Sequence, residues 1–376
     1  MSSSPAITGI GLITPLGDSA DTTWASLLAG RCITDHAPVP LEFGPEFPRV
    51  CHLAIRAARQ ALAEAQPSHL ENAGLVIGTS KGPVEWWINE ASRKQPLHGS
   101  GAATMREPSQ FPASFGLAQV AADVARALGI QGPRLTICAA CASGLHALIR
   151  AAIMLRHGEA RRVLVVATEA SLHPLFIGSF MRLGVLPAAG IGCRPFDNCR
   201  DGFLMSEAAA AVLLESPSQA DAGIVIDRLA LAADATSLTR GDPTAGPLSR
   251  LLNQVAGKAS VDLVHAHGTG TEFNDPVELA ALEHVARAYD RPPVLYSHKG
   301  ALGHSLGAAG LVSVVINVLC HRHGLVPPNV RTTDPLHTSN VLLNRSNVHR
   351  RIDRSLCLAS GFGGPLAAVS LKSCRR

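Results

Sequence analysis

Two kinds of hydrophobic pattern alternate along this chain. Short, nearly continuous apolar runs suit strands buried on both faces, and between them apolar residues recur every three or four positions, as on packed helices. Ala6-Ile-Thr-Gly-Ile-Gly-Leu-Ile13 predicts a buried strand, and Asp18 or Ser19 the cap of a helix through Leu28 that ends at Gly30. A second helix is expected from about Val50 to Ala65, leading into a strand from Ala73 to Gly78. Residues Lys81 to Ser114 read as irregular, with Trp86 and Trp87 among Gly, Pro, His and charges. Such a long insertion covers a site, joins an interface or is a surface loop. A helix from about Phe115 to Leu128 stops at Gly129, and a short apolar strand begins at Leu135. That strand breaks into small residues around Cys141, after which Leu145, Leu148, Ile149 and Leu155 keep helical spacing up to His157-Gly158. Strands Arg162 to Ala167 and Ala209 to Glu215 flank a turn dense in charge and glycine, Arg194 to Phe203.

After a Pro, Ser and Ala joint at Pro217 to Asp221 the order repeats in outline. Val261 to His267 parallels Asn72 to Gly78, each running into Gly-Thr, and the helix from His304 to His323-Gly324 parallels the one from Cys141 to His157-Gly158. The repeat predicts an internal duplication into residues 1–218 and 219–376, with His304 in the place of Cys141 and a pseudo-twofold drawing both helix starts to one centre. The nearly apolar run Leu306 to Cys320 contains Gly307, Gly310, Ser313 and Asn317. It is short for a bilayer span and reads as a buried helix.

Composition narrows the picture. With 376 residues, 47% hydrophobic, 16% charged and 4% aromatic, the chain suits tightly packed α/β layers around a large core. A formal charge of +4 is too small at this length to indicate nucleic acid. Nine cysteines in no framework, behind a start that is no signal peptide, point to a reducing cytoplasm. Gly9 and Gly11 lack the third glycine of a dinucleotide site, and Pro15 stands where its helix should begin.

Cys141 carries the first candidate chemistry. A thiol at a helix start meets unpaired N–H groups and the positive end of the dipole, which favour a thiolate; the same small-residue turn also suits a packed cysteine. Cys138 completes Cys-x-x-Cys, but without a second pair at ligand spacing it reads as packing rather than half a zinc site. Three more glycine-flanked stretches stand out: His265-Ala-His-Gly-Thr-Gly-Thr271, Ser297-His-Lys-Gly-Ala-Leu-Gly-His304 and Gly361-Phe-Gly-Gly364. Strand alternation makes His265 structural. Arg345, His349, Arg350, Arg351 and Arg354 form a basic run, either a solvated loop or a docking patch for an acidic partner.

Together with Thr8-Gly-Ile-Gly11, Leu27 to Gly30, Arg194-Pro-Phe-Asp197, Arg200-Asp-Gly-Phe203 and Gly307-Ala-Ala-Gly310, these stretches resemble the β-ketoacyl-acyl-carrier-protein synthases of the Cys-His-His type, in the thiolase superfamily. The resemblance implies an α/β, thiolase-like five-layered α-β-α-β-α fold built from two duplicated halves, working as a dimer. It places the nucleophile on Cys141, the histidine pair on His267 and His304, and the lysine on Lys299 with Glu278 as its acidic partner. Phe362 becomes a gate over the acyl pocket and, with Cys141, a backbone donor to the oxyanion. No cofactor is implied. Substrates would arrive on the phosphopantetheine of an acyl carrier protein, and condensation would follow decarboxylation of the malonyl carrier. The rival within the superfamily, a thiolase, needs a second cysteine in the C-terminal glycine loop, where this chain has Phe362. The rival outside catalysis is a chain-length-factor-like partner subunit.

The chain departs from the family at Ser206-Glu-Ala-Ala209, where Gly-Glu-Gly-Ala is usual, and at Ser360 and Pro365 around the glycine loop. Lost glycines remove access to positive φ, and Pro365 removes a donor near the oxyanion site. The small-residue-rich Ala118 to Ala127 helix and Phe180 to Leu186 are candidates to shape the acyl pocket.

Overall fold

The computed structural model describes residues 4–93, 116–216, 223–257 and 260–374. In the first part of the chain the elements are β1 (Ala6–Ile13), α1 (Ala20–Leu28), α2 (Arg49–Ala65), β2 (Gly74–Gly78), α3 (Val84–Arg93), α4 (Ala118–Leu128), β3 (Arg134–Ile137), α5 (Ser143–Arg156), β4 (Arg162–Glu169), α6 (Pro174–Arg182) and β5 (Ala208–Glu215). The second part supplies β6 (Ile224–Ala233), α7 (Gly246–Ala256), β7 (Leu263–His265), α8 (Asp275–Ala286), β8 (Val294–Tyr296), α9 (Lys299–Leu302), α10 (Ala309–His323), β9 (Leu325–Val326), β10 (Leu342–Leu343), β11 (Val348–His349), β12 (Arg354–Ser360) and β13 (Pro365–Ser373).

Strand order repeats as the sequence suggested. One run is β3-β2-β4-β5-β1 and the other β8-β7-β12-β13-β6, with β10 added outside β8. In each, the three strands farthest from the join are parallel and the last two antiparallel. The two runs meet where Ala6 and Ile7 pair with Val225 and Ile224. The expected joint at residues 217–221 lies outside the described residues.

Alternation along the strands explains the layers. Val163, Val165 and Ala167 of β4, with Ala208, Ala210, Val212 and Leu214 of β5, face the central helices α5 and α10. Their neighbours Leu164, Val166, Ala209, Ala211 and Leu213 face α2 and α4. In the second run Cys357, Ala359, Ala367 and Val369 face inward, while Leu356, Leu358, Leu366 and Ala368 face α7 and α8. A strand buried on both faces needs apolar residues at every position, as these have. The result is the five-layered α-β-α-β-α arrangement of the thiolase-like fold.

Helix α10 is buried without a break from Ala309 to Cys320, because a helix between two sheets has no solvent face. The stretch Leu306–His323 is apolar enough by composition to cross a membrane, yet 83% of it is buried inside the protein. Gly144 and Gly310 set the approach of α5 and α10: a Cβ on the first would meet the Leu311 amide at 2.8 Å, and one on the second the Leu145 amide at 3.1 Å. This reciprocal contact is the centre of the pseudo-twofold. It also corrects the expected equivalence: pairing Gly144 with Gly310 sets Cys141 opposite Gly307, three residues beyond His304.

Two further expectations change. The Lys81 to Ser114 stretch is not uniformly irregular, since Val84–Arg93 forms α3, and residues 94–115 lie outside the described set. Helix α4, expected to shape the acyl pocket, packs in the outer layer through Val120, Ala121, Val124 and Ala125.

Candidate active site

Cys141 lies on the sharp turn between β3 and α5. Ala140 just before it has φ 47°, an uncommon conformation for a residue with a Cβ. Ser143 holds that turn, its Oγ accepting from the Ala139 amide at 2.9 Å and donating to the Ala140 carbonyl at 2.6 Å. The thiol itself differs from the sequence expectation. Desolvation pushes it up to about 11, against the pull of Lys81 and Lys299, and Glu169 adds to the rise. Exclusion of water therefore outweighs the helix start, and the resting group is a thiol. Its alkylation by iodoacetamide, followed by peptide mapping, is expected to rise about tenfold per pH unit up to about 11, since only the thiolate reacts. A plateau below pH 8 would show that the dipole wins after all. Cys138 is exposed rather than packed.

His267 follows β7 on the turn Ala266 to Thr271, which is wrapped around two buried acids of the first turn of α8. Glu278 accepts from the His267 amide at 2.6 Å, the Gly268 amide at 2.7 Å and the Asn274 side chain at 3.0 Å. Asp275 accepts from the amides of Thr269 and Gly270 at 3.1 Å and of Phe196 at 2.7 Å. Burial raises the Glu278 carboxyl to about 7 and raises Asp275 as well. Lys299 is buried at the start of α9 and donates to the His267 carbonyl. The expected Glu278–Lys299 pair is therefore indirect. Among the described residues no ion pair joins them; the carboxylate grips the amide of His267 and the ammonium grips its carbonyl.

His304 comes into place through a strip of strand-like pairing. Its amide donates to the Leu204 carbonyl at 2.7 Å, and the Ser206 amide donates to its carbonyl at 3.1 Å. Leu306, two residues on, has φ 42°. Phe203 packs edge-on against the His304 ring with centroids 4.9 Å apart, and the His267 ring meets it edge-on at 5.5 Å. Burial, with the Lys299 charge second, holds both imidazoles well below their ordinary value. Both are thus neutral, and among the described residues neither ring has a hydrogen-bond partner. Neither Ser206 nor Ala208 adopts positive φ, so the lost glycines of that stretch cost no backbone freedom here.

Phe362 tops a glycine turn whose other amides are occupied. Gly361 donates to Pro365, Gly363 to Leu238 and Gly364 to Gly361, at 2.8 to 3.0 Å. No such bond engages the Phe362 amide among the described residues. Pro365 opens β13, a position where a missing N–H is tolerated, and its carbonyl closes the turn. The Phe362 ring lies 6.2 Å from that of Phe180.

Cys141, His267, His304, Phe203, Phe180, Val185 and Phe362 line one open cleft. Phe180 to Leu186 contributes as expected. The mouth adds residues that sequence reasoning missed, among them Asp234, Leu238, Arg240 and Phe273, with the Arg240 guanidinium 3.9 Å from the Phe273 ring centroid. The basic run lies elsewhere. Arg351 pairs with Asp353, Arg354 with Asp227, and Arg350 bonds the Pro292 carbonyl. His265 is structural, as expected, bonded to Asn317 and His298 at 2.9 Å each.

A duplicated five-layer fold with a thiol and two neutral imidazoles at its centre defines a thiolase-like condensing enzyme. One chain of a solved complex, a type II polyketide synthase acyl-carrier protein with its ketosynthase bound to the hexaketide, matches the fold with a TM-score of 0.86 and 22% identity, covering all of both chains. Residues 45–220 match the family model for the N-terminal domain of β-ketoacyl synthase, and residues 225–333 that for its C-terminal domain. The chain is 29% identical to 3-oxoacyl-[acyl-carrier-protein] synthase 2 of Coxiella burnetii, over 95% of each chain. It is also 29% identical to the tetracenomycin polyketide synthase ketoacyl synthase alpha subunit of Streptomyces glaucescens, over 97% of this chain and 96% of the relative. The chain belongs to the β-ketoacyl synthase family, acyltransferases that form carbon–carbon bonds.

Proposed function

We propose that this chain condenses an acyl group held on Cys141 with a malonyl unit, both delivered on the phosphopantetheine arm of an acyl carrier protein. The observation that carries the assignment is that Cys141, His267 and His304 line one cleft, with both imidazoles neutral and free of other hydrogen-bond partners among the described residues. In the first step Sγ attacks the thioester carbonyl, the pantetheine sulfur leaves, and the thiol proton ends on that departing sulfur. The amides of Cys141 and Phe362 are the donors for the tetrahedral oxyanion.

In the second step the malonyl thioester loses carbon dioxide, and the charge moves to its thioester oxygen. Two neutral N–H donors stabilise that enolate without supplying a proton that would quench it. The enolate carbon attacks the acyl-enzyme, the Cys141 thiolate leaves and takes up one proton, and a 3-oxoacyl carrier departs. Lys299 and Glu278 act by fixing the peptide units around His267. The chain divides near residue 218 into its two halves and works in the cytoplasm as a dimer. The half-exposed edge strand β3, beside the nucleophile, supports pairing with a second ketosynthase-like chain.

Intact-mass measurement of the protein with acyl and malonyl carriers, wild type beside Cys141→Ala, tests this. An acyl adduct on the wild type alone, followed by a 3-oxoacyl carrier, is the expected result. A folded wild type that takes no adduct and releases no carbon dioxide would point instead to the partner-subunit role.

A further inference from the structure

Lys81 lies close enough to act on the Cys141 thiol, and among the described residues no anion pairs with that lysine. It follows β2 on the segment Thr79-Ser-Lys-Gly82, which is fixed on both sides. The Ser80 amide and hydroxyl bond Glu169 at 2.9 and 2.5 Å, and the Gly82 amide bonds Thr79 Oγ1 at 3.0 Å. The side chain is half-buried, its Nζ 5.4 Å from the ring centroid of Phe176 and 5.8 Å from that of Phe180. Those rings belong to the apolar cluster that also holds Cys141, Phe203, Ile177, Leu186 and Phe362. Among the described residues Lys81 forms no ion pair. The nearby acid Glu169 is already engaged by Ser80, by the Ser171 hydroxyl at 2.6 Å and by the Gly307 amide at 3.2 Å.

Phe180, Phe203 and Phe362 of this cluster line the cleft with Cys141, which makes the cluster the apolar ground nearest to an acyl chain on that sulfur. A saturated chain would strip water from this half-buried ammonium and leave it, among the described residues, ring faces alone, and a charge desolvated without a partner is costly. An oxygen acceptor on the chain would meet the three N–H donors instead. We infer that Lys81 selects an acyl substrate that carries oxygen, as a keto group or a carboxylate, over a plain saturated chain. This rests on the condensing reading above and names the substrate class for that site.

The test is the rate of Cys141 acylation, by intact mass, from carriers loaded with octanoyl, 3-oxooctanoyl or an eight-carbon chain ending in a carboxylate. Wild type, Lys81→Met and Lys81→Arg are compared, with thermal melts to confirm folding. Wild type is expected to favour one oxygen-bearing chain by at least about tenfold, the winning arm identifying keto group or carboxylate. Lys81→Met is expected to bring the ratio to one or below, and Lys81→Arg to retain it. A wild type that prefers octanoyl overturns the inference. So does a Lys81→Met variant that slows all three equally, which would mean that the charge only tunes the thiol. No adduct from any carrier on folded wild type overturns the condensing reading itself, and this inference with it.

Discussion

Replacing His304 with alanine is expected to slow malonyl decarboxylation by roughly 10²–10³-fold, the usual loss when one donor to a developing oxyanion is removed. Acylation of Cys141 is expected to fall far less, because its oxyanion is served by backbone amides on a different turn. The asymmetry follows from how the ring is held. The backbone of residue 304 is paired to Leu204 and Ser206, and the ring is packed against Phe203, so truncation removes a donor without releasing the segment. Following malonyl-to-acetyl conversion by mass beside single-turnover acylation separates the two steps. Equal loss in both would make His304 the base for the thiol rather than an enolate donor. The buried ring also bears on pH. Desolvation and the Lys299 charge keep the imidazole neutral, so its donor role is constant across neutral pH and needs no proton uptake.

Much of this fold was written in the order of apolar runs. The parallel between the two parts of the chain reappears as the same strand order, because a strand buried on both faces and a helix buried between sheets leave unmistakable hydrophobic stretches. The exact equivalence of Cys141 and His304 was not legible. It depends on where α10 starts, and α9 with the 3₁₀ turn Leu306–Ala308 adds residues ahead of it that the first half lacks.

Electrostatics was less legible than geometry. Sequence places Cys141 near a helix start, but it does not show the enclosure that raises the thiol. The family resemblance made Glu278 and Lys299 a pair. In the structure, each binds a different end of the same residue. Lys81 gave no periodic or motif signal at all, since its neighbours Phe176 and Phe180 come from α6, about a hundred residues away. The basic run at residues 345–354 gave a clear signal that the structure partly cancels, Arg351 and Arg354 each pairing with a carboxylate while Arg345 and Arg350 bond backbone carbonyls.

A second large effect is expected from Gly364→Ala, in the opposite direction from His304→Ala. Gly364 has φ 90°, and a Cβ there would lie 1.8 Å from the Asp234 carbonyl oxygen. That oxygen has little room to retreat. The Asp234 amide donates to the Gly364 carbonyl at 2.8 Å, and its carboxylate accepts from Thr236 and Asp242 at 3.0 and 2.7 Å. Positive φ alone costs a residue with a Cβ about 1–2 kcal/mol, and displacing two coupled loops brings the expected loss of stability to roughly 3–5 kcal/mol. Denaturant titration measures that part. The functional part is sharper: moving the turn carries the Phe362 amide away from the Cys141 oxyanion position, while His267 and His304 sit on other segments. Acylation and condensation should therefore fall more than tenfold while malonyl decarboxylation is largely kept, the inverse of the His304→Ala pattern. If decarboxylation fell in parallel with acylation in a folded Gly364→Ala sample, the glycine turn would be a general support of the cleft, and the Phe362 amide would lose its assigned role.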